Sequence, residues 1–327
     1  MGTKNLFNYL KLAYTPVSNY DFVTIQDSPQ LCTYMNSGKI YMIVQRPVLS
    51  FENLTVDNLN IRNPNITFQI RQRGNENVIK ASMPMYQESF GASHTTTNME
   101  FRIEYTYPKP KNHSANLPFY QVANFIFKPE GGDYVWFSPE KFLYHYLRES
   151  IEARVEGKIE DFLKYKLHYI GKATEQDIVK RLTGHSHLQE ILSLEHPINY
   201  GSLPTDEIVL LFFNFDNNIH MRSFEEDDDI RVAVNMVKGI NPIDQRTIYL
   251  DAEKAFINAL KPNYNKQLYN QYPKSKDGLF SHDLDVYTYN IIDPITLIYD
   301  GGEIRGNSES YRGDWIVVKK GKPAEIK

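Results

Sequence analysis

The stretch His168-Tyr169-Ile170-Gly171-Lys172 is the segment from which the fold of this 327-residue chain is inferred. Residues 166–171 are predicted to form a short strand. The strand is expected to end in a turn at Gly171, because glycine adopts backbone conformations that other residues avoid. A helix is expected directly after this turn.

Downstream of this strand the pattern predicts a helix, a strand and a second helix. Thr174-Glu175-Gln176-Asp177 resembles a capping box with Asp in place of Glu, and it opens a helix over residues 174–192. Arg181 and His185 are four residues apart on that helix, so they share one face. Residues 208–215 are a continuous apolar run, typical of a strand that is buried on both faces. A further helix is predicted over 247–260.

Upstream of the quoted stretch the chain changes character at Gly131-Gly132. Residues 133–137 are predicted to be a strand. Ser138-Pro139 is a favourable helix start, with Ser as the N-cap and Pro at the first helical position. A helix is predicted from Glu140 to about Lys166, with an interruption at Gly157. The middle of the chain therefore reads strand, strand, helix, strand, helix.

The two ends of the chain are predicted to be rich in strands. Apolar and polar residues alternate along Ile66–Arg71, which is typical of a half-buried strand. Four strands are predicted after residue 284. We therefore predict a β-rich recognition or assembly domain (residues 1–130), a central α/β domain (131–270), and C-terminal strands (271–327) that pack on one of the two.

Composition restricts the classes of protein to consider. Hydrophobic residues make up 41% of the chain and charged residues 23%, which indicates a globular protein, and no apolar run is long enough to span a membrane. Cys32 is alone, which excludes an internal disulfide and favours a reducing, cytoplasmic location. The net charge is −4, so a nucleic acid would have to bind in a local basic groove.

A set of residues in the middle of the chain carries a family resemblance. Tyr169 lies in the Tyr-Ile-Gly strand, Arg181 and His185 lie on the helix that follows, and Glu253 lies on a later helix with Asn265 just past Pro262. In order and spacing this set resembles the core of the GIY-YIG nucleases. The resemblance implies an α+β fold in which a compact GIY-YIG-like module is flanked by the β-rich domain.

The first motif of that family, Gly-Ile-Tyr, is expected shortly before the Tyr-Ile-Gly strand. That window holds Val155-Glu156-Gly157-Lys158-Ile159, which contains no tyrosine. We predict Tyr134 as the substitute, with a helical insertion between the two motif strands.

The resemblance implies roles for these residues in hydrolysis of a phosphodiester bond. A tyrosine takes a proton from the attacking water, and Lys172 is a candidate to lower its pKa. Arg181 stabilises the charge on the phosphoryl oxygens, and His185 contacts a phosphate or moves a proton. Glu253 holds Mg²⁺ or Mn²⁺. Lys180 and Asn265 are candidate substrate-binding residues.

The resulting prediction is a metal-dependent endonuclease that cuts DNA in restriction or defence against foreign DNA. A homodimer or a defence-system protein is the expected partner. The alternative is a catalytically inactive nucleic-acid-binding or assembly protein that keeps the nuclease fold. A third interpretation, a β-rich structural or sensor protein with an accidental Tyr-Ile-Gly match, requires the candidate residues to lie far apart. A phosphate-binding loop and a nucleophile elbow are both absent from the sequence.

Overall fold

The structure, a computed structural model, combines helices and strands along the whole chain. It describes residues 2–57, 64–90, 98–106, 116–184, 186–195, 206–225, 229–238, 243–282 and 284–327. The helices are α1 (Asn19–Ile25), α2 (Pro29–Ser37), α3 (Pro139–Leu147), α4 (Ile178–Thr183), α5 (Ser186–Leu194), α6 (Ile230–Val237) and α7 (Gln245–Leu260). The strands are β1 (Lys4–Leu12), β2 (Val17–Ser18), β3 (Ile40–Pro47), β4 (Leu49–Asp57), β5 (Asn65–Gln72), β6 (Val78–Pro84), β7 (Met99–Tyr105), β8 (Val122–Pro129), β9 (Val135–Phe137), β10 (Arg154–Glu156), β11 (Lys164–Lys172), β12 (Asp206–Arg222), β13 (Val286–Ile291), β14 (Thr296–Tyr299), β15 (Gly302–Arg305), β16 (Trp315–Lys319) and β17 (Glu325–Ile326).

The chain forms two compact units. Unit 1 comprises Met1–Gln45, Leu163–Glu195 and Ile208–Lys327, and unit 2 comprises Arg46–Phe162 and His196–Glu207. These boundaries differ from the predicted divisions after residues 130 and 270. The difference arises because the first 45 residues contribute strands to the same sheet as the Tyr-Ile-Gly strand.

Unit 1 is built around one large sheet, with strand order β15-β14-β11-β3-β12-β1-β13-β16-β17 and β2 beside β12. The centre of this sheet is apolar on both faces, since Ile208–Phe213 and Ile40–Val44 are fully buried. β12 lies inside this sheet, with β3 along one edge and β1 along the other. The apolar run predicted as a doubly buried strand is confirmed in β12, which continues to Arg222.

The C-terminal strands belong to this same sheet. β13 pairs in parallel with β1, and Leu6 lies opposite Tyr287 in the register. β14 pairs in parallel with β11, the strand that carries Tyr169. The strands after residue 284 thus flank the sheet of unit 1 on both sides, and they do not join unit 2.

The helices of unit 1 agree in part with the predictions. α7 covers Gln245–Leu260, which confirms the helix predicted over 247–260. Lys261 caps its C-terminal end with a left-handed φ of 46°. The single helix predicted over 174–192 is wrong, because α4 ends at Thr183 with Gly184 as its C-cap and α5 starts at Ser186. Asp177 is the N-cap of α4 but makes no side-chain capping hydrogen bond.

Unit 2 is a smaller sheet with strand order β10-β6-β5-β4-β8-β7 and β9 beside β8. Its core is aromatic. Phe51, Phe125 and Phe137 are buried, and the ring of Phe125 lies 4.8 Å from that of Phe51 and 5.5 Å from that of Phe137. Packing of such rings contributes beyond the apolar area they bury.

The start of α3 is confirmed, since Ser138 caps the helix by accepting a hydrogen bond from the backbone N–H of Lys141. Its predicted extent to residue 166 is wrong. α3 ends at Leu147, and Glu149 then adopts a positive φ of 54°, which is incompatible with a continuing helix. The chain returns as β10, which pairs with β6.

Candidate functional site

The Tyr-Ile-Gly strand, β11, lies antiparallel to β3. In this register Tyr169 is opposite Ile43 and Gly171 is opposite Tyr41. A Cβ atom at Gly171 would lie 2.5 Å from the hydroxyl oxygen of Tyr41 and 2.9 Å from Cε1 of Tyr169. Glycine is therefore required at position 171, because the phenol of Tyr41 lies over its Cα atom.

Arg181 joins these two tyrosines. Its Nε donates a hydrogen bond to the Tyr41 hydroxyl at 3.0 Å. Tyr169 also exchanges side-chain hydrogen bonds with Tyr41 and Arg181. The rings of the two tyrosines are 6.0 Å apart. Two phenols and a guanidinium thus form a polar cluster against β3 and β11.

Burial decides the protonation of this cluster. Burial raises the pKa of Tyr41, with the neighbouring Tyr169 as the next cause, and the Arg181 hydrogen bond only partly opposes the rise. Burial also raises the pKa of Tyr169, against the Tyr41 hydrogen bond and the charge of Arg181. Both phenols therefore carry their protons at neutral pH in the absence of a ligand.

Lys172, at the end of β11, forms an ion pair with Glu253. Its Nζ lies 2.7 Å from Oε2 of Glu253, and the glutamate side chain is only 9% exposed. A neighbouring lysine or arginine was expected to lower the pKa of a tyrosine, and the charge of Arg181 has this effect on Tyr169.

Asn265 ties the end of α7 to the Tyr-Ile-Gly strand. Its Oδ1 accepts from the backbone N–H of Ile170 at 2.9 Å, and its Nδ2 donates to the carbonyl of the same residue at 2.8 Å. Both polar atoms of this side chain are thus used within the fold. Asn265 therefore orients the backbone beside Tyr169, and its role in substrate binding stays a prediction.

Tyr134 does not belong to this cluster. It lies in unit 2 just before β9, is 53% exposed, and carries the Lys128 ammonium 4.5 Å above its ring. β11 pairs with β3 and β14, whereas β9 pairs with β8, so Tyr41 and not Tyr134 lies opposite the Tyr-Ile-Gly motif. The sequence did carry a signal for Tyr41, in Gly38-Lys39-Ile40-Tyr41, but far upstream of the expected window.

The remaining predicted residues lie on or near α4. Lys180 is exposed on this helix. His185 lies outside the described residues. His187, which follows it, stacks on Tyr169 with ring centroids 5.2 Å apart, a contact that the sequence did not indicate.

Tyr269 is a further residue that sequence reasoning missed. It follows α7 and adopts a positive φ of 47°. Burial raises its pKa to about 12, with Glu253, Asp277 and Tyr169 as the further causes. A third phenol therefore lies within the electrostatic reach of Glu253 and Tyr169.

Glu253 is the residue predicted to hold a metal ion. The described part of the chain holds no group of three or more His, Cys, Asp or Glu side chains arranged as a metal site. The buried Oε2 of Glu253 has the Lys172 ammonium at 2.7 Å. Mg²⁺ can bind through a single carboxylate, with water and substrate phosphate completing its shell. A cation at Glu253 would compete with the Lys172 ammonium.

Comparison of the chain with protein-family models, curated proteins and solved structures found no match. Within the described residues, none of the helices is both long enough and apolar enough to cross a membrane.

Proposed function

We propose that this protein is a metal-dependent endonuclease of the GIY-YIG type that hydrolyses phosphodiester bonds of DNA. The observation that supports the proposal is the proximity of Tyr41, Tyr169, Arg181 and the Lys172–Glu253 pair, which come from four separate segments. In this proposal Gly38-Lys39-Ile40-Tyr41 takes the place of the first motif, and unit 2 is an insertion between the two motif strands.

Arg181 is proposed to bind the scissile phosphate. Its planar guanidinium presents several donors, and one of them already reaches the Tyr41 hydroxyl. Donors that are held in place before the reaction stabilise the charge that develops on the phosphoryl oxygens.

Tyr41 is proposed to take the proton of the attacking water. Because burial raises its pKa, the phenol must first release its own proton to a water molecule, and the positive charge of Arg181 favours that release. Tyr169 donates or accepts a hydrogen bond at the Tyr41 hydroxyl and so fixes its orientation.

Glu253 would hold Mg²⁺ or Mn²⁺, which when bound supplies charge stabilisation at the leaving oxygen. Lys172 neutralises the Glu253 carboxylate in the free protein. In this proposal the ammonium turns to a phosphate oxygen when the cation and the substrate bind.

A second candidate function is a non-catalytic nucleic-acid-binding or assembly protein with the same fold. It is favoured by two observations. Burial keeps both phenols of the cluster protonated, and Lys172 occupies the carboxylate that would hold a metal ion. For both candidate functions the proposed ligand is a nucleic acid. The proposed partner is a second copy of the chain or a defence-system protein, in restriction or defence.

The test is a cleavage assay on double-stranded DNA, single-stranded DNA and RNA, each with Mg²⁺, Mn²⁺ or EDTA. We expect metal-dependent cutting that is lost in Glu253→Gln and in Arg181→Ala. The matched controls are Glu303→Gln and Arg231→Ala, whose side chains are 48% and 87% exposed, and they should cut normally.

Full activity in either site variant would contradict the proposal. Binding of DNA without cutting, unchanged by Mg²⁺ and by Glu253→Gln, would establish the second candidate instead. Thermal unfolding of each variant separates loss of chemistry from loss of fold.

A further inference from the structure

The segment that follows α7 is strongly basic in a chain that is acidic as a whole. Residues 261–276 contain Lys261, Lys266, Lys274 and Lys276 and have neither Asp nor Glu, whereas the chain has a net charge of −4. Such a local concentration of positive charge attracts anions and favours a polyanionic ligand.

This segment encloses a cavity of about 420 Å³ within unit 1. Three lysines line it, Lys254 from α7 and Lys266 and Lys274 from the segment. Each of the residues along its wall is uncharged or basic. The volume is within the range of ordinary ligand sites.

Two polar groups of the cavity wall are closed to solvent. Lys254 is 4% exposed and its ammonium is held by Asp277. The hydroxyl oxygen of Ser275 is buried as well. Lys266 and Lys274, in contrast, are exposed, so a phosphate in the cavity can reach their ammonium groups.

Tyr269 connects this cavity to the candidate active site. Its side chain belongs to the cavity wall, and its phenol interacts electrostatically with Glu253 and Tyr169. Its backbone is held in place, since its carbonyl accepts from Nδ2 of Asn258 at 3.0 Å and from the N–H of Tyr272 at 2.8 Å. Lys254 also follows Glu253 directly in α7. The cavity and the proposed metal-binding carboxylate are therefore neighbours.

We propose that this cavity is a phosphate-binding subsite, which holds a backbone phosphate of the substrate strand next to the scissile one. The inference rests on the proposed function, because the neighbouring site identifies the anion as part of a nucleic acid. Lys266 and Lys274 supply the positive charge that holds the phosphate. The subsite recognises the phosphodiester and carries no information about base sequence.

The test is equilibrium binding of a fluorescent 20-nucleotide DNA, measured in EDTA over a series of salt concentrations. The double variant Lys266→Gln/Lys274→Gln is compared with the wild-type chain. Each phosphate contact that is lost lowers the slope of log K against log salt concentration by about 0.7 to 0.9. We expect the double variant to lose one to two such contacts. An RNA of the same sequence should show the same loss, since the phosphate is common to both.

The matched control is Lys320→Gln/Lys322→Gln, which removes two exposed lysines from a turn elsewhere in unit 1. Its salt slope should equal that of the wild type. An unchanged slope in Lys266→Gln/Lys274→Gln would overturn the inference, even if cleavage by the wild type establishes the nuclease. A reduced slope supports the subsite whether or not the wild type cuts, so the two proposals fail separately.

Discussion

Gly171→Ala tests whether the phenol of Tyr41 really lies over the Tyr-Ile-Gly strand. The added methyl carbon would stand 2.5 Å from the Tyr41 hydroxyl oxygen and 2.9 Å from a ring carbon of Tyr169, well inside van der Waals contact. Tyr41 is fully buried on β3, so its ring has no solvent to move into. We expect the substitution to displace this ring and to lengthen its hydrogen bond to Arg181.

The magnitude follows from these contacts. Overpacking of a well-filled site costs about 1–3 kcal/mol, and loss of a hydrogen bond adds about 0.5–1.5 kcal/mol. We therefore expect Gly171→Ala to lower the free energy of unfolding of unit 1 by about 2–4 kcal/mol. For a unit of this size each kcal/mol lowers the melting temperature by about 2–4 °C.

The assay is thermal and urea unfolding in a double-mutant cycle with Tyr41→Leu. The smaller side chain leaves room for the methyl group, so Gly171→Ala should cost much less in the Tyr41→Leu background. Gly184→Ala is the control, because its added Cβ meets open space. Equal costs of Gly171→Ala in both backgrounds would refute the proposed packing of Tyr41 over position 171.

Two further predictions concern single side chains. Asn265→Ala leaves the backbone N–H and carbonyl of Ile170 without their side-chain partners. We expect it to lower the free energy of unfolding in urea by about 1–3 kcal/mol. Asn263→Ala, at an exposed position, is the neutral control. The pKa of His145 is lowered to about 4, chiefly by burial and then by the charges of Lys141 and Arg148. In the unfolded chain the pKa of a histidine is about 6.5. The stabilisation is thus complete above pH 6.5 and is lost as the pH falls toward 4, by at most about 1.4 kcal/mol per pH unit, and His145→Gln should remove this slope from the pH profile of unit 2.

Local patterns predicted most of the individual elements. The apolar run of β12, the alternation in β5 and the Ser138-Pro139 start of α3 each reflect interactions between residues close in sequence. The predicted C-terminal ends of two helices were wrong. The positive φ of Glu149 and the C-cap at Gly184 divided or shortened helices that periodicity alone would have continued.

The candidate site was predicted in part. Tyr169, Arg181 and Glu253 lie within one electrostatic network, as their order in the sequence suggested. The choice of Tyr134 failed because a strand partner was sought near the Tyr-Ile-Gly motif. The partners of Lys172 and Asn265 were not predicted, since each is held by a residue distant in sequence.

The sequence by itself predicted several strands and helix starts of this protein, and it contained the Tyr-Ile-Gly strand with the arginine and glutamate that follow. Only the tertiary structure decided that β3 lies beside β11, which identifies Tyr41, and that Lys172 faces Glu253. The physical reason is that caps and hydrophobic periodicity act over a few residues. Strand pairing and ion pairing, in contrast, depend on which segments meet in space. Here the chain leaves unit 1 at Arg46 and re-enters it at Leu163.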